Sequence, residues 1–149
     1  MVAVEVGHSD THNSTVLWCP ALRLVVAGDV VYGDVHQMLG EANTHALRME
    51  WVRALDIVSS LNLASVVPGH RRPSELDGPW HVEASRKYIL DFDKLAENGE
   101  CRNARDLVGK MKELWPTRFN DGALIVGAIN AFKVKEKEAK KKKQGAEKL

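Results

Sequence analysis

Two short segments decide the fold of this chain: LVVAGD at residues 24–29 and ASVVPGH at residues 64–70. Each is a brief apolar run that ends in glycine and is followed at once by a polar residue, Asp29 in the first and His70 in the second. Short apolar runs bounded by such turn residues are typical of strands. Because the first run is wholly apolar before its glycine, we predict a strand with both faces covered.

The residues around these segments predict further strands and one intervening helix. Valine alternates with other residues over residues 2–6, which is the period of a strand with one buried face. A second short strand is predicted over residues 14–19. Between the two deciding segments, apolar residues recur at spacings of three and four from Ala46 onward, which indicates an amphipathic helix that Asn62 closes.

The region after His70 has the pattern of helices. We predict helices over residues 79–97, 101–114 and 122–132, and the proline at the start of the first range suits a first helical turn. The order along the chain is therefore short strands, helix, strand and then helices. This order predicts an α/β fold with one mixed sheet of short strands covered by helices, followed by C-terminal helices.

Charge divides the chain into two parts. Residues 133–149 carry eight Lys and three Glu, a balance of +5, whereas the remaining 132 residues carry −4. We predict a folded body over residues 1–132 and a basic, flexible tail over residues 133–149, which either extends the last helix or is disordered. The tail has no interleaved aromatic residues, which favours a solvated segment over a nucleic-acid site.

Apolar runs and cysteine usage indicate the compartment. The sequence has no run of about 18 apolar residues, so we expect no membrane-spanning helix. Its N-terminus has neither a basic region nor a long apolar core, so we expect no secretory signal. Cys19 and Cys101 lack CxxC spacing, which favours free thiols in a reducing environment and a cytoplasmic location.

Three polar residues stand at the ends of predicted strands, and each directly follows a glycine. They are His8, Asp29 and His70. Loops at strand ends are where α/β proteins build their sites, because the sheet fixes the mutual positions of these loops. Histidine and aspartate are ligands for divalent ions such as zinc, manganese or iron. The pattern therefore predicts a metal site at one edge of the sheet.

At these residues the sequence resembles the metallo-β-lactamase superfamily. GHSDTHNST at residues 7–15 is similar to the family's loop with its third metal-binding histidine, AGDVVY at residues 27–32 to the strand end with the bridging aspartate, and VPGH at residues 67–70 to the final histidine. The resemblance implies one half of a four-layer αββα sandwich, a zinc-dependent hydrolase with a two-metal site, and a small-molecule substrate. It also implies a role for His36 on the substrate side.

The family's HxHxDH motif, which supplies four ligands from the N-terminal half, does not occur in this sequence. By the resemblance, His8 would bind one ion, His70 the other and Asp29 both. Each ion would then have two protein ligands, whereas a catalytic zinc site normally has three. We therefore expect a truncated, hydrolase-like protein that is inactive as an isolated chain.

Other functions remain open at this point. The chain would be an active metal-dependent hydrolase if a partner or an upstream segment supplied the missing ligands. It would otherwise be a non-catalytic interaction module. Binding of nucleic acid through the lysine-rich tail is a third and weaker hypothesis.

One half of a sandwich leaves the inner face of its sheet without a partner. The candidates to line that face are apolar strand residues: Val2, Val4, Val6, Val16, Trp18, Val25 and Val66. Soluble monomers rarely expose an apolar patch larger than about a few hundred Å². We therefore expect this chain to self-associate or to bind a complementary half-domain.

Overall fold

The computed structural model describes residues 1–146, and within them the chain forms one four-stranded sheet and four α-helices. The strands are β1 (Val2–Gly7), β2 (Ser14–Cys19), β3 (Leu24–Gly28) and β4 (Ser65–Pro68). The helices are α1 (His45–Ser60), α2 (Trp80–Glu97), α3 (Ala104–Leu114) and α4 (Asp121–Ala146). The predicted α/β fold is confirmed.

The sheet is mixed, with the strands in the order in which they occur along the chain. β1 pairs antiparallel with β2, and β2 pairs antiparallel with β3. β4 adds parallel to β3, and the chain between these two strands contains α1. Because parallel neighbours end at the same edge of a sheet, the residues after β3 and β4 meet there.

Local signals in the sequence define both ends of α1. The Thr44 side chain accepts a hydrogen bond from the Leu47 N–H at 3.2 Å, which satisfies one of the free donors of the first turn. Asn62 adopts a left-handed conformation with φ of 52° just past the helix end. Asn62 therefore closes the helix as the sequence predicts.

One face of the sheet is covered by helices and forms the core. Val6, Val16, Val25 and Val66 are at most 1% exposed. Trp51 of α1 is fully buried against this face, and its indole N–H donates to the Val30 carbonyl at 2.9 Å. The sequence predicted that these valines line a sheet face without a partner. That prediction is wrong for them, because helices cover the face on which they lie.

The opposite face of the sheet is open to solvent. Ala3, Leu17, Val26 and Val67 lie on neighbouring strands in one register and form a row across it, which we call the open-face row. Leu17 is 38% exposed and Val26 is 43% exposed. The prediction that both faces of β3 are covered is therefore wrong, because side chains alternate between faces and helices cover only one.

The last helix is longer than the sequence predicts. α4 runs from Asp121 to Ala146 and includes most of the lysine-rich segment, while residues 147–149 of the predicted tail lie outside the described residues. Lys and Glu are strong helix formers, so a helix can continue through such a segment without an apolar stripe. Lys135 within it forms an ion pair with Glu97 at 3.0 Å. Of the two predictions for the basic tail, an extension of the last helix or a disordered segment, the helix is observed up to residue 146.

None of the helices in residues 1–146 combines the length and the apolar character that crossing a bilayer requires.

A buried arginine connects α1 to α2. The Arg48 side chain is fully buried, and its Nε donates to Asp93 Oδ1 at 2.7 Å. A second guanidinium nitrogen contacts Glu97, which also belongs to α2. A charge in this position is stable only while its partners are present, because desolvation of an unpaired guanidinium is expensive.

We expect Asp93→Ala to lower the free energy of unfolding by about 3–5 kcal/mol, since it leaves Arg48 buried with one partner fewer. Urea unfolding followed by circular dichroism measures this difference. The matched control is Asp56→Ala, which breaks an ion pair with Arg86 at a carboxylate that is 63% exposed. The control should cost less than about 1 kcal/mol, and equal losses in both variants would contradict the role assigned to Arg48.

Candidate functional site

Two of the predicted site residues meet at the edge where β3 and β4 end. Asp29 directly follows β3, and His70 stands two residues after the end of β4. His70 Nε2 lies 3.4 Å from Asp29 Oδ2, and the two side chains are 58% and 40% exposed. A carboxylate and an imidazole that both remain open to solvent can share a proton or bind a common cation.

Glycine at position 69 makes this approach possible. A Cβ at Gly69 would lie 2.2 Å from Asp29 Oδ1 and 2.6 Å from the Gly28 carbonyl carbon. The Gly69 N–H donates to the carbonyls of Gly28 at 2.9 Å and Val31 at 3.1 Å, which joins the two strand ends. The glycine before His70 is therefore a steric requirement of the site.

Tyr32 supports His70 from the side of the core. The two rings are stacked, with their centroids 5.4 Å apart. Burial raises the pKa of the Tyr32 phenol, and the negative charges of Asp29 and Asp10 raise it further, so the ring stays neutral at physiological pH. Sequence reasoning did not assign a role to Tyr32, although it stands within the AGDVVY segment only three residues after Asp29.

An open cleft of about 480 Å³ lies beside Asp29. Its lining includes Asp10, Thr11, Ser14 and Gly28. Burial raises the pKa of Asp10, the Ser9 hydroxyl that donates to it lowers this pKa in part, and the charge of Asp29 raises it again. Asp10, in the loop after β1, is thus close enough to Asp29 for the two carboxylates to interact electrostatically.

His8 is not brought into one group with Asp29 and His70. It is 7% exposed, and its Nδ1 lies 3.3 Å from Nδ1 of His12. Its Nε2 is buried and has no hydrogen-bond partner among the described residues. Burial lowers the pKa of His8, and the neighbouring His12 lowers it further, so the imidazole is held in its neutral form.

His36, the predicted substrate-side residue, lies inside the protein. It is fully buried, and its Nδ1 lies 2.9 Å from the Tyr88 hydroxyl of α2. Its Nε2 faces Asp121 of α4 across 3.9 Å. Burial lowers the pKa of His36, and the charge of Asp121 opposes this shift in part. His36 thus forms a hydrogen bond with α2 and lies beside α4, and direct contact with a substrate would require it to leave this position.

The described residues do not by themselves provide the ligand set of a resident zinc ion. Within residues 1–146, no set of three or more His, Cys, Asp or Glu side chains is arranged to hold a metal ion. The three predicted ligands, His8, Asp29 and His70, therefore do not form such a set. Asp29 and His70 supply two donors, whereas a catalytic zinc normally has three protein ligands and a water. The pair is therefore at most one part of a ligand set.

We expect Gly69→Ala to lower the free energy of unfolding by about 1–3 kcal/mol, because the added methyl group must displace Asp29 and the Gly28 backbone. Thermal unfolding measures the loss. Gly109→Ala in α3 is the matched control, since a Cβ there meets nothing within 4 Å. The control should be stabilising by up to about 1 kcal/mol, as expected for alanine in a helix. A neutral Gly69→Ala would refute the steric role.

No model of a protein family matches this chain. No curated protein matches it either.

Proposed function

We propose that this chain carries one part of a hydrolase site of the metallo-β-lactamase type, to which Asp29 and His70 contribute metal ligands, and that it does not hydrolyse substrates by itself. The observation that carries the proposal is the contact between these two side chains at 3.4 Å, at the ends of adjacent parallel strands. The similarity of residues 7–15, 27–32 and 67–70 to the family's ligand segments supports it.

The number of donors explains why we propose an incomplete site. Two donors hold a divalent ion weakly, and they do not position it for catalysis. A small-molecule substrate would be hydrolysed only if further ligands came from another segment of the polypeptide or from a partner. His8 is one candidate within this chain, but the loop after β1 would have to turn its Nε2, which has no hydrogen-bond partner among the described residues, toward the strand ends.

We propose that the segment or partner that supplies the missing ligands packs on the open-face row. Leu17 and Val26 are each more than one-third exposed on the two central strands of the sheet. A complementary half-domain or a second copy that packs on this row would bury apolar side chains on the sheet that carries Asp29 and His70. We propose the cytoplasm as the compartment, since Cys19 and Cys101 are both free thiols.

A second candidate function is a non-catalytic interaction module. The open-face row favours it, because this surface provides for association whether or not a metal is ever bound. The two candidates share the surface and differ at the strand ends. They are therefore distinguished by metal binding at Asp29 and His70.

We expect titration with zinc to perturb the imidazole resonances of His70 in NMR spectra, and the perturbation to disappear in Asp29→Ala. Elemental analysis after gel filtration should find less than one tightly bound zinc per chain, and hydrolysis of a chromogenic ester or lactam should not exceed that of buffer. His45→Ala is the matched control, because His45 pairs with Asp93 at 3.0 Å, away from the strand ends.

Two results would contradict this proposal in different ways. Zinc that perturbs other histidines and leaves His70 unchanged would remove Asp29 and His70 as ligands and favour the interaction module. One or more tightly bound zinc ions with hydrolysis that His70→Ala abolishes would show that the chain is active by itself.

We expect the isolated chain to self-associate in solution through the open-face row. A complementary half-domain, where present, would take the place of the second copy. Size-exclusion chromatography with light scattering measures the mass. Val26→Lys should shift the protein toward the monomer, whereas Thr15→Lys, on the same face outside the row, should have a smaller effect. A well-folded monomer at all concentrations would contradict association through this face.

A further inference from the structure

A groove lies between α3 and α4, on the part of the molecule formed by the C-terminal helices. It has a volume of about 400 Å³, and its lining is Ala104, Arg105, Val108, Ile125 and Ile129. Ile125 is 43% exposed and Ile129 is 39% exposed. Large apolar side chains that line a concave surface are typical of a site that receives apolar groups of a partner.

The helix that forms one wall of this groove continues into a basic segment. Residues 133–146 of α4 carry seven Lys and two Glu. At 100° per residue, Lys133, Lys140 and Lys143 fall on the same face as Ile125 and Ile129, with Glu136 as the acidic residue among them. These four charged side chains are exposed. One surface of α4 is thus apolar at the groove and positively charged beyond it.

We propose that this surface binds an amphipathic α-helix of another polypeptide, with an apolar stripe in the groove and an acidic end against the lysines of α4. A groove between two helices has the shape that receives the apolar face of a third. The positive charge beyond it selects a partner with negative charge at the matching distance. This surface does not include the strand ends, so the inference does not depend on the proposed hydrolase site.

Other occupants fit the same observations less well. A second copy of this chain would bring two lysine-rich helices together, and like charges repel. A bilayer is flat and needs a continuous apolar face, whereas this one is concave and ends at Lys133. Single-stranded nucleic acid is bound through aromatic residues along a basic track, and residues 133–146 contain none. These occupants are outcomes of the test below.

The test uses the full chain and fluorescein-labelled synthetic helices. Ile125 and Lys143 are 18 positions apart, so the surface is about 27 Å long and matches a helix of about 20 residues. Both of the two probe peptides carry leucines at i, i+4 and i+7. One has a run of glutamates at its N-terminal end, and the other has it at its C-terminal end. The control peptide has lysine in place of each glutamate. Fluorescence anisotropy measures binding, and we expect one glutamate peptide to bind about tenfold or more tightly than the lysine peptide.

Two protein variants separate the apolar and charged contributions. Ile129→Asn should weaken binding about tenfold, because it removes an apolar contact from the groove. The double variant Lys140→Glu and Lys143→Glu should weaken it by a similar factor and reduce its dependence on salt. The lysines are exposed, so this second variant keeps the fold, and circular dichroism checks both.

Several outcomes would overturn the inference. Equal binding of the glutamate and lysine peptides would remove the charge complementarity, and no binding of either glutamate peptide would remove the docking site. Tighter binding to phosphatidylcholine vesicles with about 30 mol% phosphatidylserine would identify a membrane surface instead. Tighter binding to a thymidine oligonucleotide would identify a nucleic-acid surface. Failure of the zinc titration would leave this result unaffected, because the two surfaces share no residue.

Discussion

The contact between the ends of β3 and β4 is the constraint on which the candidate site depends. The Gly69 N–H donates to the carbonyls of Gly28 and Val31 and so joins the ends of the two parallel strands. The absence of a side chain at Gly69 leaves room for Asp29. Parallel strands need a long crossover, which here includes the segment from Val30 to Asn43 and helix α1. The packing of this crossover therefore determines where Asp29 and His70 stand.

The crossover is held on the sheet by polar contacts as well as by apolar burial. Trp51 donates to the Val30 carbonyl directly after the Asp29 turn, and Tyr32 lies between Trp51 and His70 in an aromatic row. Arg48, on the same helix, is bound to Asp93 of α2. The strand-end residues thus rest on a layer of packed side chains, whose contacts fix the positions of Asp29 and His70.

Within residues 1–146, the open-face row on the sheet and the groove between α3 and α4 are apolar surfaces that the helices leave open to solvent. The surfaces differ in chemistry, because the row consists of apolar strand residues, whereas the groove continues into the lysines of α4. We therefore propose a partner of the same layered architecture for the first surface and a charged helix for the second.

Much of the local structure was determined by the sequence itself. The strands at residues 2–7, 14–19 and 24–28, the helix end at Asn62, and the meeting of Asp29 with His70 follow from alternation, helix periodicity and the glycine before each polar residue. These features depend on neighbours along the chain or on one parallel pair.

Only the tertiary structure decided which face of the sheet is covered, because that choice depends on where a distant helix packs, and a one-residue change of register reverses it. The same reason applies to the two other histidines. His36 is buried because α2 and α4 close over it, and His8 turns toward His12 rather than toward Asp29 and His70, which are distant in sequence. Residues that depend on packing between separate elements carry no periodic signal in the sequence from which their environment could be predicted.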